Sequence, residues 1–230
     1  AGAAVSQPVG ELWNGGAVAG YLKVAGASWL TVGSDGTVSG TAPADVPSEP
    51  ATITVQATDG TTTSQLTLEV PVVASGTAPP LATVTWNLWD DGTHADNATR
   101  KALGAIAANG FDVIGVQEDG GVGALALAHA LGWYGAEGAG GVGIVSAYPI
   151  DAASVTGAQG APAVGVTVDV LGQSMRVWSV GLDATGYGPA AACTPGASAD
   201  AVLAAERASL RYAQAQTIAR AVAVDTASAA

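Results

Sequence analysis

A proline-rich segment divides this sequence into two halves whose hydrophobic patterns differ. Residues 72–80 contain the run Ser75-Gly76-Thr77-Ala78-Pro79-Pro80, and adjacent prolines beside Gly and Ser are typical of a short, semi-stiff linker. The 230 residues are enough for two small domains. We therefore predict a domain over residues 1–73, a linker over 74–80 and a second domain over 81–230.

The first half has the pattern of an all-β domain. Residues 52–58 alternate, with Ile53, Val55 and Ala57 on one face, and residues 65–70 alternate in the same way. Period-two alternation predicts half-buried strands, and Asp59-Gly60 between them is a turn signal. Short strands with closely spaced turns predict a β-sandwich.

Three stretches of this half are typical of a known module. They are Ala27-Ser28-Trp29-Leu30, the run from Ser34 to Thr41, and the run from Ile53 to Gly60. Together they resemble the immunoglobulin-like repeats of bacterial surface proteins, over most of residues 10–73. The resemblance implies an immunoglobulin-like fold with a spacer or adhesive role, and this half offers no catalytic set of residues.

The second half alternates between strand and helix signals, which predicts an α/β (α+β) sandwich. The first helix is predicted to begin after Asp96 and to stop at Gly110. A long helix is predicted from Ser198 or Asp200 through Val222. Strands are predicted at 81–87, 111–117, about 134, 142–146, 153–156, 163–170 and 174–182, with a second helix at about 122–131.

Two polar residues follow neighbouring strands of this half. Asn87 and Glu118 each come directly after the last apolar residues of a strand. Parallel strands joined by a right-handed crossover end at the same sheet edge, so we expect these residues to lie close together. A carboxylate with an amide oxygen can hold a hard cation such as Mg²⁺. The alternative is that Asn87 caps a loop and Glu118 is solvated, and the spacing leaves both open.

Four segments of the second half occur in an order typical of one enzyme family. They are Thr85-Trp86-Asn87-Leu88-Trp89, Phe111 to Glu118, Gly141 to Ile150, and Val180-Gly181-Leu182-Asp183 followed by Tyr187-Gly188-Pro189. They resemble the first part of the endonuclease/exonuclease/phosphatase family. The resemblance implies hydrolysis of phosphate esters with Mg²⁺ or another divalent cation. It also implies that Glu118 is a metal ligand and Asn87 an active-site contact, and we expect Asp183 and Tyr187 to line the pocket.

The sequence departs from that family at positions that matter for catalysis. Gly181 stands where the family has His, and Ala147 stands where an Arg precedes Tyr-Pro. The family's later Gly-Asp-x-Asn and Ser-Asp-His motifs do not occur in the 230 residues, so we expect an incomplete second domain. Two functions stay open: a phosphoester hydrolase, and a non-catalytic pseudoenzyme for binding or assembly. An incomplete sandwich domain exposes sheet edges, so we expect it to associate with another copy of itself or with a second chain.

Composition restricts the partners and the location. The net charge of −12, with only seven Lys and Arg, disfavours duplex nucleic acid, because phosphate binding requires a basic surface. Small or lipid phosphoesters remain as substrates. No apolar stretch is long enough for a membrane span. The Thr-, Gly- and Ala-rich, Lys-poor composition favours a secreted or cell-surface bacterial protein, and Cys193, alone, cannot form an internal disulfide.

Overall fold

The first half of the chain folds into two small antiparallel sheets. The computed structural model describes residues 2–13, 17–77, 79–120 and 123–228. The elements of this half are β1 (Ala4–Pro8), a short 3-10 helix (Gly10–Leu12), β2 (Gly20–Gly26), β3 (Leu30–Val32), β4 (Thr37–Thr41), β5 (Ala51–Thr58) and β6 (Thr63–Val70). The two sheets have the strand orders β1-β4-β3 and β2-β5-β6.

The apolar face of the predicted alternation forms the core of this half. Ile53 and Val55 on β5 are fully buried and pack with Leu30 and Val38 from the other sheet, so the two sheets share one core. Strand β1 was not predicted, because Val5 is the only large aliphatic side chain among its five residues. Its pairing with β4 places it in the sheet, so tertiary contact rather than local pattern makes it a strand.

The second half contains two further sheets and most of the helices. The first sheet has the order β7-β8-β10-β9, in which β7 and β8 are parallel and the other pairs antiparallel, and the second has the antiparallel order β11-β12-β13. The elements are β7 (Thr83–Asn87), α1 (Ala98–Asn109), β8 (Val113–Gln117), α2 (Gly123–Leu131), β9 (Tyr134–Gly138), β10 (Val142–Ser146), β11 (Ile150–Ala158), β12 (Ala161–Val170), β13 (Gln173–Val180), α3 (Gly188–Ala192), α4 (Ala199–Ala208) and α5 (Leu210–Ser228).

These elements pack in layers. Helices α1 and α2 cover one face of the first sheet, where Ile106 and Leu127 meet Ile114 and Val116. The second sheet covers the other face through the valines of β12, and Ile218 of α5 packs on the far side of that second sheet. Strand β10 is buried at every residue because both of its faces are covered, as expected for a central strand.

Several boundaries differ from those predicted. Helix α1 begins after Asn97, which has a left-handed backbone, rather than after Asp96; it ends at the left-handed Gly110 as predicted. The single long helix predicted from residue 198 to 222 is two helices, α4 and α5. They are separated at Ser209, whose backbone is extended and whose hydroxyl accepts a hydrogen bond from the Tyr212 N–H. A serine side chain can cap the first turn of a helix, so Ser209 ends α4 and caps the start of α5.

The two halves of the chain are in contact. Gln7 Nε2 donates to the carbonyl oxygens of Leu131, at 2.8 Å, and Gly132, at 3.3 Å, at the carboxyl end of α2. Leu12 packs against both core clusters, the one under α2 and the one between the first two sheets. Among the described residues, no helix has the length and apolarity to cross a membrane.

Candidate functional site

Asn87 and Glu118 meet at the carboxyl end of the parallel pair β7 and β8. The register places Asn87, the last residue of β7, opposite Gln117, so Glu118, the residue after β8, lies at the same edge. The Asn87 side-chain amide donates to Glu118 Oε1 at 2.8 Å. The predicted proximity of these two residues is therefore confirmed, and its cause is the crossover through α1.

The turn after β7 holds both side chains in place. The Trp89 N–H donates to Asn87 Oδ1 at 2.7 Å, and the Asp90 N–H donates to Glu118 Oε2 at 3.2 Å. Trp89, Asp90 and Asp91 have φ angles of 55–56°, and Glu118 has a φ angle of 53°. Non-glycine residues in this left-handed region cost about 1 kcal/mol or more each, so the surrounding contacts must enforce the turn. Asn87 thus caps a loop and also contacts Glu118.

Gly181 lies beside the same edge, at the end of β13. A Cβ atom built at Gly181 would lie 3.0 Å from Val142 Cγ1 and 3.8 Å from Gln117 Cγ. A side chain at this position would therefore start between β8 and β10, close to Gln117, and any larger residue would have to displace Val142. As a glycine, residue 181 contributes no functional group to this edge.

Asp183 and Tyr187 are held by α5 rather than by Glu118. The Asp183 carboxylate accepts from the Thr185 N–H and hydroxyl, and these hydrogen bonds lower the pKa of Asp183. Its own N–H donates to Gln214 Oε1 at 2.7 Å. The Arg211 guanidinium lies 5.0 Å from the centroid of the Tyr187 ring. No hydrogen bond or ion pair within the described ranges joins Asp183 or Tyr187 to Asn87 or Glu118.

His94 lies in the loop that borders the site. Its ring stacks on Trp89 with centroids 4.5 Å apart, and its Nε2 is 4.0 Å from Asp90 Oδ2. Both partners are largely exposed, as expected for solvated loop residues.

The sequence analysis missed a pair of acids beneath the site. Asp119 is fully buried, and Glu137 on β9 accepts from the Leu125 N–H at 3.1 Å at the start of α2. Burial raises the pKa of Glu137 to about 7, and the hydrogen bond and negative charge of Asp119 add to that rise. The available signal was an acid two residues after a buried strand and a second acid within a strand, but their separation by 18 positions conceals the contact.

A cavity of about 320 Å³ lies on the helix side of Asn87. It is enclosed by the loop after β7 and by the first turns of α1 and α2. Its lining residues are Trp86, Asn87, Leu88, Trp89, Asp91, Gly92, Ala95, Ala98, Thr99, Lys101, Ala102, Gly123, Ala126 and Leu127.

The donor set at the sheet edge suits a water-rich divalent cation. Among the residues that the structure describes, no group of three or more His, Cys, Asp or Glu side chains could hold a metal ion. Mg²⁺ usually keeps several waters and needs only one or two protein carboxylates. Both Glu118 oxygens accept a hydrogen bond, yet each carboxylate oxygen has a second lone pair, so Glu118 retains the capacity to bind one ion.

Comparison with known proteins gives little further guidance. The chain matches no protein-family profile and no curated protein. Among solved structures it is similar to an endo-fucoidan hydrolase of glycoside hydrolase family 107, with 12% sequence identity and a TM-score of 0.22. The match covers 70% of this chain and 22% of that chain, so this chain spans about a fifth of that protein's length. A similarity at this TM-score does not demonstrate a common fold.

Proposed function

We propose that the second half of the chain is a metal-dependent phosphoester hydrolase-like domain of the endonuclease/exonuclease/phosphatase type, preceded by an immunoglobulin-like module. The observation that carries the proposal is the 2.8 Å contact between Asn87 Nδ2 and Glu118 Oε1 at the carboxyl edge of β7 and β8. Layered sheets with helices outside them agree with it, and so does the order of the four sequence segments.

In this proposal Glu118 binds a divalent cation such as Mg²⁺, and Asn87 orients Glu118 and contacts the phosphate. The bound ion would supply positive charge for the phosphoryl oxygens and would acidify a bound water. That charge matters here, because the chain itself carries −12. Small or lipid phosphoesters suit such a surface better than duplex nucleic acid does. The composition favours export to the bacterial cell surface or medium.

A specific observation favours the alternative, a non-catalytic domain that binds or assembles outside the cell. Gly181 supplies no proton donor, and Asn87 and the Asp90 N–H already occupy one lone pair on each Glu118 oxygen. Strands β7 and β13 each pair on one side only within the described sheets. Such edges can add a strand from a second copy or another chain.

Calorimetric titration with Mg²⁺ tests the metal role of Glu118. Saturable binding that Glu118→Gln removes is the expected result, because the amide lacks the negative charge of the carboxylate. Glu49→Gln is the matched control, since Glu49 is an exposed glutamate in the first module. Binding that survives in Glu118→Gln, or is lost equally in Glu49→Gln, would contradict the assignment.

Hydrolysis of a phosphodiester chromogen separates the two functions. We expect the 230 residues alone to hydrolyse it negligibly, because Gly181 offers no donor and the later motifs do not occur in them. A Mg²⁺-dependent turnover that EDTA and Glu118→Ala both abolish would contradict that expectation and establish an active hydrolase. Absence of both Mg²⁺ binding and turnover would support the assembly function, for which sedimentation velocity should then detect a dimer or larger species.

A further inference from the structure

The cavity beside Asn87 shares that residue with the proposed hydrolytic site, but Glu118 does not line it. At about 320 Å³ it lies near the lower end of the range of small-molecule pockets, which is roughly 300–1,000 Å³. Its floor is formed by Ala102 and Leu127, which are buried members of the core cluster under α1 and α2. Because the floor belongs to a packed core, the cavity is a pre-formed part of the fold.

The walls of the cavity favour a flat apolar ligand. Trp86 and Leu88 line the interior, and Trp89 lines the mouth with 64% of its surface exposed. The stacking on His94 fixes the orientation of the Trp89 ring. Indole rings bind other aromatic rings by offset stacking or edge contact, with about 0.5–1.5 kcal/mol beyond the area that they bury. A planar ring can therefore contact both tryptophans.

The cavity is lined by one basic and one acidic residue, Lys101 and Asp91. Lys101 lines it and, as far as the described part of the chain shows, forms no ion pair. Asp91 also lines the cavity, but its carboxylate faces the backbone at the start of α2: Cβ atoms built at Gly120 and Gly123 would lie 2.9 and 3.1 Å from its oxygens. Among the described residues that line the cavity, Lys101 carries the positive charge that an anionic ligand would need.

We propose that this cavity binds a small planar aromatic molecule that carries one anionic group, a carboxylate or a phosphate. The ring packs against Trp86, Trp89 and Leu127, and the anion pairs with Lys101. This binding goes beyond the hydrolase proposal and does not depend on it, since neither Glu118 nor a metal ion takes part.

Calorimetry with four naphthalene derivatives in buffer that contains EDTA tests the proposal. Naphthoate and naphthyl phosphate should bind with a dissociation constant about tenfold below that of neutral naphthol, and cationic naphthylmethylammonium should bind most weakly. Tighter binding of the phosphate would identify an aryl phosphate as the ligand class, and tighter binding of naphthoate would identify an aryl carboxylate. No saturable binding of either anion would overturn the proposal.

Two pairs of variants locate the binding. Ala126→Phe fills the mouth of the cavity from an exposed position on α2 and should abolish binding of naphthoate, whereas Ala108→Phe, at an exposed position on α1 outside the cavity, should not. Lys101→Met should weaken naphthoate about tenfold and leave naphthol unchanged, whereas the neighbouring Arg100→Met should change neither.

A thermal melt of each variant shows that it is folded before its affinity is compared. Equal affinities in Ala126→Phe and Ala108→Phe would overturn the location of the ligand. Equal affinities for naphthoate and naphthol, together with no effect of Lys101→Met, would overturn its anionic character. If Mg²⁺ binding and hydrolysis fail while naphthoate binds as expected, only the hydrolase proposal fails.

Discussion

Replacing Glu137 by Gln should change how the stability of this protein depends on pH. Glu137 has a pKa raised from 4.5 to about 7, first by burial and then by its contact with Asp119. A carboxyl with a raised pKa keeps its proton in the folded state at pH values where the unfolded chain has lost it. The stability that it contributes is fully present below about pH 4.5 and is lost as the pH rises through about 7.

The structure sets the size of this effect. The full separation between 4.5 and about 7 corresponds to about 3 kcal/mol of unfolding free energy. Glu137 retains part of its contact with solvent, which screens its interactions, so we expect about 1–2 kcal/mol. A glutamine can still accept from the Leu125 N–H and donate to Asp119, so Glu137→Gln removes the titration and leaves the geometry.

Urea unfolding at pH 5 and pH 8, followed by tryptophan fluorescence, measures the difference. From pH 5 to pH 8, the unfolding free energy of the wild type should fall by about 1–2 kcal/mol more than that of Glu137→Gln. Groups with other shifted pKa values, such as Asp112, remain in both proteins and cancel in the comparison. Glu69→Gln, at an exposed position on β6, is the control and should run parallel to the wild type. If the unfolding free energies of Glu137→Gln and the wild type also change equally between pH 5 and pH 8, the reasoning is refuted.

Three further predictions concern stability. Leu30→Ala, at a fully buried position, should lower the unfolding free energy by about 3–5 kcal/mol in urea denaturation, because it leaves a cavity between the first two sheets. Asp225→Ala removes the acceptor shared by Arg176 Nε and Trp178 Nε1, so the packing of α5 on the second sheet should weaken by about 1–3 kcal/mol. Protease should then cleave α5 faster than the rest of the chain. Ser198→Ala removes the cap of α4 and should cost about 1 kcal/mol of stability in thermal unfolding, and no change would mean that solvent replaces the cap.

The sequence predicted correctly those elements that have a distinct local pattern of hydrophobic residues or a helix-ending residue. Ile53 and Val55 alternate with polar residues and are buried in a strand as predicted. Gly110 ends α1 because glycine adopts the left-handed backbone at little cost. The proximity of Asn87 and Glu118 also followed from the sequence, because a strand–helix–strand crossover has one hand and brings two strand ends to one edge.

Other features depended on contacts that no local pattern encodes. Strand β1 exists because β4 pairs with it. Asp183 and Tyr187 belong to the fourth of the four sequence segments, and they contact Gln214 and Arg211 of α5. Their part in catalysis stays a prediction, as do the Mg²⁺ site and the immunoglobulin-like identity of the first module.

The sequence by itself determined most strands and the edge at which a site could form, since periodicity and the handedness of crossovers act over short stretches of chain. Only the tertiary structure decided that Asp119 meets Glu137 and that Lys101 and Trp89 share a cavity. The physical reason is that burial and charge interaction depend on distance in space. Residues far apart in sequence acquire these properties only when sheets and helices pack together.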